Sequence, residues 1–261
     1  MKKYIVFIVV FICSFFLFSG CKKDNTPKDD LQAIKEKGYI NVGVKNDSIP
    51  FGYLKDGKLT GLDIDIAQEI AKNIFENYSP SCVNFIVVTP QNRIQKLNSK
   101  EVDILVATMS INEKRKLVVD FSAPYFVASQ KIMVRKGSKI THINHFNSKG
   151  KFAVVLGTTG EKISHLIAPN ANVVGAKNYS QALKYLKNYE VDAILGDDCI
   201  LKGLNRDNEF KIVNRAYSRE FYAVAIRKSS NSKELLNLIN STIAQVLDSK
   251  KINIIKSKYR I

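Results

Sequence analysis

Acidic residues are scarce: 24 Asp and Glu stand against 40 Lys and Arg, a formal net charge of +16. That surplus suits an anionic partner: a small acid, a nucleic acid or a lipid surface. The basic residues are scattered, and no finger, recognition-helix or RNP-type pattern accompanies them, which argues against nucleic acid. A Lys-rich solvated surface explains the charge equally well. Histidine is rarer, with three residues: His142, His145 and His165. The pair in His142-Ile143-Asn144-His145 lacks the carboxylate of a metalloprotease helix and reads as a surface loop. There is no G-x-S-x-G, no C-x-x-C and no phosphate loop. No metal or cofactor is therefore expected, and no enzyme activity.

Cysteine is thin as well, at four residues. Cys13 lies in an apolar run from Tyr4 to Phe18, preceded by Lys2 and Lys3. That run is shorter than the ~20 residues of a membrane span and reads as a secretory signal. It ends Phe18-Ser19-Gly20-Cys21, which resembles a bacterial lipobox. Residues 1–20 are thus expected to be a lipoprotein signal peptide. Cys21 is the expected lipidation site, and 21–36 a polar tether to the membrane. Only Cys82 and Cys199 remain for the folded part. They fall in different lobes of the organisation below, where a bond would freeze relative motion, so both are expected unpaired.

The rest alternates strands and helices. Tyr39–Lys45, Asn84–Thr89 and Val102–Thr108 read as strands. Asp56-Gly57 marks a hairpin turn. Ile66, Ile70 and Ile74 set a helix over 63–77, and a short helix follows Pro90. The pattern is βαβ, hence a parallel sheet covered by helices. It then restarts, with strands at 151–157, 171–175 and 191–196 and helices at 161–167 and 179–188. Leu97–Ala107 (LNSKEVDILVA) and Leu186–Gly196 (LKNYEVDAILG) are similar, which suggests two α/β lobes of like topology. A further strand, 221–227, and a helical tail from Ser232 complete the chain. The tail is expected to return to the first lobe, giving lobe 1 as 37–126 with 222–261 and lobe 2 as 127–221. Two crossings, near 125–129 and 219–223, would then make a hinge beside a cleft. Clefts at domain interfaces and at the carboxyl ends of parallel strands bind small ligands.

Residues just past strand ends supply the candidates: Lys45, Phe51, Thr108, Ser110, Arg115, Thr158, Thr159 and Asp197 with its neighbour Asp198. An Arg fork matches a carboxylate. A helix start favours an anion, and a carboxylate matches an ammonium. Together these suit an α-amino acid zwitterion.

Gly61-Leu62-Asp63-Ile64-Asp65-Ile66 with Ile70-Ala71 resembles the signature of type 3 bacterial extracellular solute-binding proteins, the amino-acid receptors of ABC importers. Thr108–Arg115 (TMSINEKR), Asp120–Tyr125 (DFSAPY), Gly157-Thr158-Thr159, and Val191-Asp192-Ala193 with Asp197 are similar to further family stretches. The resemblance runs from about Leu31 to the C-terminus. It implies a periplasmic-binding-protein type II fold, with two lobes about a hinge, and a monomer that passes an L-amino acid to a membrane permease. It also implies that Arg115, Thr108, Ser110 and Thr159 hold the α-carboxylate, that Asp197 holds the ammonium and that Phe51 packs on the ligand. Asp63 and Asp65 are expected to be structural, at a helix start where acids suit the dipole. Thr89–Ile94 (TPQNRI) is similar to the glutamate/aspartate-binding branch, which also tends to carry a cation at Lys45. Lys45 and Arg93 then imply an acidic amino acid. A cysteine-binding branch shares the Asn-Arg pair and stays open. So do a cyclohexadienyl-dehydratase-like enzyme and a surface adhesin or antigen. No sensor-kinase or lytic-enzyme fusion is expected.

Overall fold

The computed structural model describes residues 29–248, with 253, 257 and 258. The expected signal peptide, the expected lipidation site Cys21 and most of the expected tether lie outside them. Helix α1, Asp30–Lys37, already forms where the tether was expected to run to residue 36. Asp29 caps it by accepting from the N–H groups of Leu31 and Gln32, and Gly38 ends it at φ 77°.

Strand β1 is Ile40–Val44, followed by the small strands β2 (Asp47–Ser48), β3 (Gly52–Lys55) and β4 (Lys58–Thr60). The β3–β4 turn carries Asp56 and Gly57, both at positive φ, as that dipeptide leads one to expect. Helix α2, Leu62–Ile74, buries Leu62, Ile66, Ile70 and Ile74 along one face. Then come β5 (Val83–Val87), α3 (Arg93–Asn98), β6 (Ile104–Leu105) and α4 (Glu113–Lys116). The long strand β7, Val119–Arg135, leads to β8 (Lys151–Val155), α5 (Thr159–Ile167), β9 (Asn172–Ala176) and α6 (Tyr179–Lys187). Next are β10 (Ala193–Asp197), α7 (Asp198–Leu204), β11 (Phe210–Ile212), β12 (Ser218–Arg227) and α8 (Lys233–Asp248).

Nine of these strands build one sheet, β5-β1-β6-β12-β7-β10-β8-β9 with β11 also on β7, and β2-β3-β4 form a separate antiparallel sheet. Pairing is parallel within β5-β1-β6 and within β10-β8-β9. The long antiparallel pair β7–β12 joins the two halves. The expected crossings are these two strands side by side: Ala128 faces Glu220, Val127 faces Phe221 and Phe126 faces Tyr222. Register shifts fall at Tyr222–Ala223 and between Ala223 and Ala225. Bulges there loosen the ladder and raise its local twist. Helix α8 packs on α1 and α2, burying Leu235, Ile239 and Ile243, and Asn73 donates to the Thr242 hydroxyl at 2.9 Å. Helix α8 is thus packed on the first half.

The internal repeat has a physical basis. Asp103 donates its N–H to the Asn41 carbonyl (2.8 Å) and accepts the Asn41 N–H on its side chain (2.7 Å). Asp192 does the same to Lys151, at 2.7 and 3.0 Å. Each Asp clamps the start of a parallel neighbour and pairs with a cation, Lys37 or Arg135. Cys82 and Cys199 are free and buried. His142 ends up as the cap of a short 3₁₀ turn, its Nδ1 accepting from the Asn144 N–H. No cluster of three or more metal-ligating side chains occurs among the described residues.

Candidate functional site: a closed, charged cavity between the two halves

The carboxyl ends of β1, β5, β6, β8 and β10 converge on one cavity. Lys45, Pro90, Arg93, Thr108, Ser110 and Arg115 line it from one half, and Thr158, Thr159, Tyr179 and Asp197 from the other. The space, open mouth included, is about 290 Å³. Room for the centre of a water-sized molecule within it is only about 10 Å³, so the side chains nearly fill the cavity.

Arg115 reaches the cavity from α4, whose Asn112 cap accepts the Arg115 N–H at 2.9 Å. Its guanidinium donates to the Ser110 carbonyl (2.7 Å) and, across the cavity, to the Gly157 carbonyl (3.2 Å). Arg93 opens α3 and donates to the Ala107 carbonyl at 2.8 Å, while its Nε has no hydrogen-bond partner among the described residues. Both side chains are buried. Among the described residues their guanidiniums bond backbone carbonyls only. Burial lowers the pKa of both. Arg93 falls to about 9, first through desolvation and then through the repulsion of Arg115. For Arg115 desolvation again leads, and the nearby Glu220 and Asp197 oppose it. Two cations this poorly matched call for anions from a ligand.

Thr108 sits at φ 45°, where a β-branched side chain is strained by ~1–3 kcal/mol. Asp63 holds it there, accepting the Thr108 N–H at 3.0 Å on one oxygen and the Tyr125 hydroxyl at 2.8 Å on the other. Asp63 thus does more than suit a helix dipole, because it fixes a wall of the cavity. Full burial raises its pKa to about 6 against those two donors. Gly61 places Asp63. It has φ 129°, and a Cβ there would lie 1.8 Å from the Phe51 carbonyl oxygen.

In the other half, Thr158 caps α5 by accepting from the Glu161 N–H at 3.3 Å, which leaves Thr159 in the first turn facing the cavity. Asp197 ends β10 and accepts from Gln130 Nε2 at 2.7 Å. Desolvation raises its pKa to about 7. The Tyr222 hydroxyl pulls the value down, Glu220 and Asp198 push it up, and Arg115 pulls it down again. Asp198 is not in the cavity. It accepts from the Ser129 and Cys199 N–H groups and pairs with Lys131 at 3.6 Å. Of the two, Asp197 is therefore the one that lines the cavity.

Of the residues expected at the site, Arg115, Asp197, Thr108, Ser110, Thr159, Lys45 and Arg93 line the cavity, and Phe51 does not. Phe51 is fully buried, edge-on to Phe126 and Tyr222 with centroids at 5.0 and 5.3 Å. It packs behind the site because the β2–β3 turn folds back onto the sheet instead of over the mouth. Lys45 is present, but it is not an unbalanced cation, since its ammonium pairs with Asp47 and also donates to Ser48 Oγ at 3.3 Å. Sequence reasoning missed Tyr179, Gln130 and Tyr222. Tyr179 also follows a strand end, so the rule that found Thr158 reaches it. Gln130 and Tyr222 lie inside the crossing strands, where nothing local marks them.

The halves also touch directly. Gln91 Nε2 donates to the carbonyls of Leu156 (2.8 Å) and Lys177 (3.3 Å), and Asp47 accepts the Tyr179 N–H at 3.3 Å. The two halves thus meet around the cavity.

Known proteins share this organisation. A glutamine-binding protein of an ABC transporter, GlnH of Bacillus subtilis, is 34% identical over 94% of this chain and 93% of its own. The L-cystine-binding protein TcyJ of Escherichia coli is 30% identical over 83% and 80%. Among solved structures, the ancestral amino-acid-binding protein AncCDT-1, described as a precursor of cyclohexadienyl dehydratase, superposes with a TM-score of 0.79. It is 29% identical, covering 88% of this chain and 99% of that one. Residues 40–260 match the model of the bacterial extracellular solute-binding proteins, family 3, and with that match and these relatives the chain belongs to this family of amino-acid-binding ABC transport proteins, with the type II periplasmic binding fold.

Proposed function

We propose that this protein takes up an acidic L-amino acid, glutamate or aspartate, in its closed cavity and presents it to an ABC permease. The observation that carries this is the pair of buried guanidiniums, Arg93 and Arg115, that share one cavity and, among the described residues, hydrogen-bond only backbone carbonyls. Among the described residues, Asp197 is the one carboxylate lining the same cavity. A dicarboxylic amino acid completes the match: its α-carboxylate on Arg115 with Thr108, Ser110 and Thr159, its ammonium on Asp197, its second carboxylate on Arg93. A ligand lacking one of these charges leaves a buried partner unpaired, which is how such sites reject analogues. Lobe 1 is read as 37–126 with 222–261 and lobe 2 as 127–221, closing about the β7–β12 pair. Residues 1–20 are read as a signal peptide and Cys21 as the lipid anchor that holds a monomer at the membrane.

Glutamine is the second reading. The Lys45–Asp47 pair removes one of the two cations that were expected beside the ligand side chain, and an amide oxygen also accepts from Arg93. Calorimetry of the mature protein against the twenty L-amino acids, with recovery of the ligand afterwards, tests both. Tight binding of glutamate or aspartate with intact recovery supports the proposal. A preference for glutamine replaces the acidic assignment, and a chemically altered ligand replaces transport with a dehydratase-like activity.

A further inference from the structure

Asp47 does not line the cavity, yet it touches both halves at once. One carboxylate oxygen pairs with the Lys45 ammonium, whose side chain is 3% exposed, and also accepts the Ser48 hydroxyl at 3.2 Å. The other accepts the N–H of Tyr179, the first residue of α6 across the cavity, at 3.3 Å. We propose that Asp47 is a specificity-determining residue that works without touching the ligand: it withholds the Lys45 charge from the cavity and at the same time ties the closed form together.

The reasoning is one of charge and reach. Lys45 does line the cavity. With Asp47 ionised beside it, the side-chain subsite presents Arg93 alone. With the Asp47 charge removed, the Lys45 ammonium loses the partner that holds it charged against burial and the repulsion of Arg93, so a ligand carboxylate that takes that place beside it becomes far more valuable than an amide. Closure enters because the Tyr179 N–H reaches Asp47 only when α6 is brought up to the β1–β2 segment. Every ligand therefore draws on that bond, whatever its side chain.

The two roles separate experimentally. Asp47→Asn keeps the shape and a hydrogen-bond acceptor for Tyr179 while removing the charge. Asp47→Ala removes both. The ratio of glutamate to glutamine affinity should rise at least tenfold in Asp47→Asn. The double variant Lys45→Met with Asp47→Asn should lose that rise. Asp47→Ala should show the same rise and, in addition, weaken both ligands by a common factor relative to Asp47→Asn. This inference rests on the amino-acid reading of the site, but not on which ligand the wild type prefers, because it concerns the shift in a ratio. A wild type that favours glutamine would end the acidic assignment and leave this test intact. A ratio within twofold of wild type in a folded Asp47→Asn protein, with cooperative melting, overturns the charge role. Equal affinities of Asp47→Ala and Asp47→Asn overturn the closure role.

Discussion

Replacing Arg93 by methionine keeps an unbranched apolar stem and deletes the guanidinium and its charge, which sets two effects against each other. In the ligand complex the second carboxylate loses its partner in a desolvated cavity. Truncating one member of such a pair costs about 2–5 kcal/mol, or about 30-fold to several thousand-fold in affinity for glutamate. Without ligand, Arg93 is a buried cation that, among the described residues, bonds one carbonyl and leaves its Nε unpartnered. Exchanging a poorly matched buried charge for an apolar group of similar volume is often neutral or stabilising by ~1–4 kcal/mol. In a chain of this size each kcal/mol moves the midpoint by about 2–4 °C. The ligand-free variant should therefore melt at or above the wild-type temperature while its glutamate affinity collapses. Glutamine should lose less, since it gives up a hydrogen bond to a cation, worth ~1.5–3 kcal/mol, and no ion pair. Calorimetric titration and scanning calorimetry on the same preparations check both halves. A fall of several degrees in the ligand-free midpoint, or unchanged glutamate affinity, refutes the idea that Arg93 is held unpaired for a ligand.

The parts of the fold legible in the sequence are those with a local cause. The βαβ runs show because strands covered on both faces are continuously apolar, as in Val191–Gly196. The hairpin shows because Asp56-Gly57 accepts positive φ cheaply. The Glu-Val-Asp repeat shows two halves because each Asp does the same clamping work. Seven cavity residues were found from a single rule, that side chains just past parallel strand ends face the cleft. The rule misplaced Phe51, because proximity in sequence does not say which way a turn folds. It also miscounted charge, because nothing in Lys45-Asn46-Asp47 by itself says that the two ionic groups meet. Gln130 and Tyr222 stayed hidden because their roles come from pairing across the sheet. Each is an ordinary strand residue until β7 and β12 bring it under Asp197.

Arg115→Ala should abolish measurable binding of every amino acid, since it removes the α-carboxylate partner and the bond to Gly157 together. Calorimetric affinity within twofold of wild type would show the residue to be dispensable. Gln91→Ala removes two bonds between the halves without touching the cavity, so glutamate and glutamine should weaken by a common factor of about 5–30, with their ratio kept. A changed ratio would place Gln91 at the ligand. The last expectation concerns pH. Asp197 is raised to about 7 in the ligand-free cavity, and the ligand ammonium meets the ionised carboxylate, so binding must displace a proton below that value. Affinity should be flat above about pH 7.5 and fall towards tenfold per unit beneath pH 7. The other groups do not reverse this sign: Arg93, at about 9, stays charged throughout, and a glutamate side chain is ionised well above ~4.3. Asp63, raised to about 6, adds in the same direction, because its protonation weakens the grip on Thr108. Titration in buffers of different ionisation enthalpy at pH 6.5 should show proton release on binding. Equal affinities at pH 6 and 8 with no proton released would mean that the ammonium does not sit on Asp197.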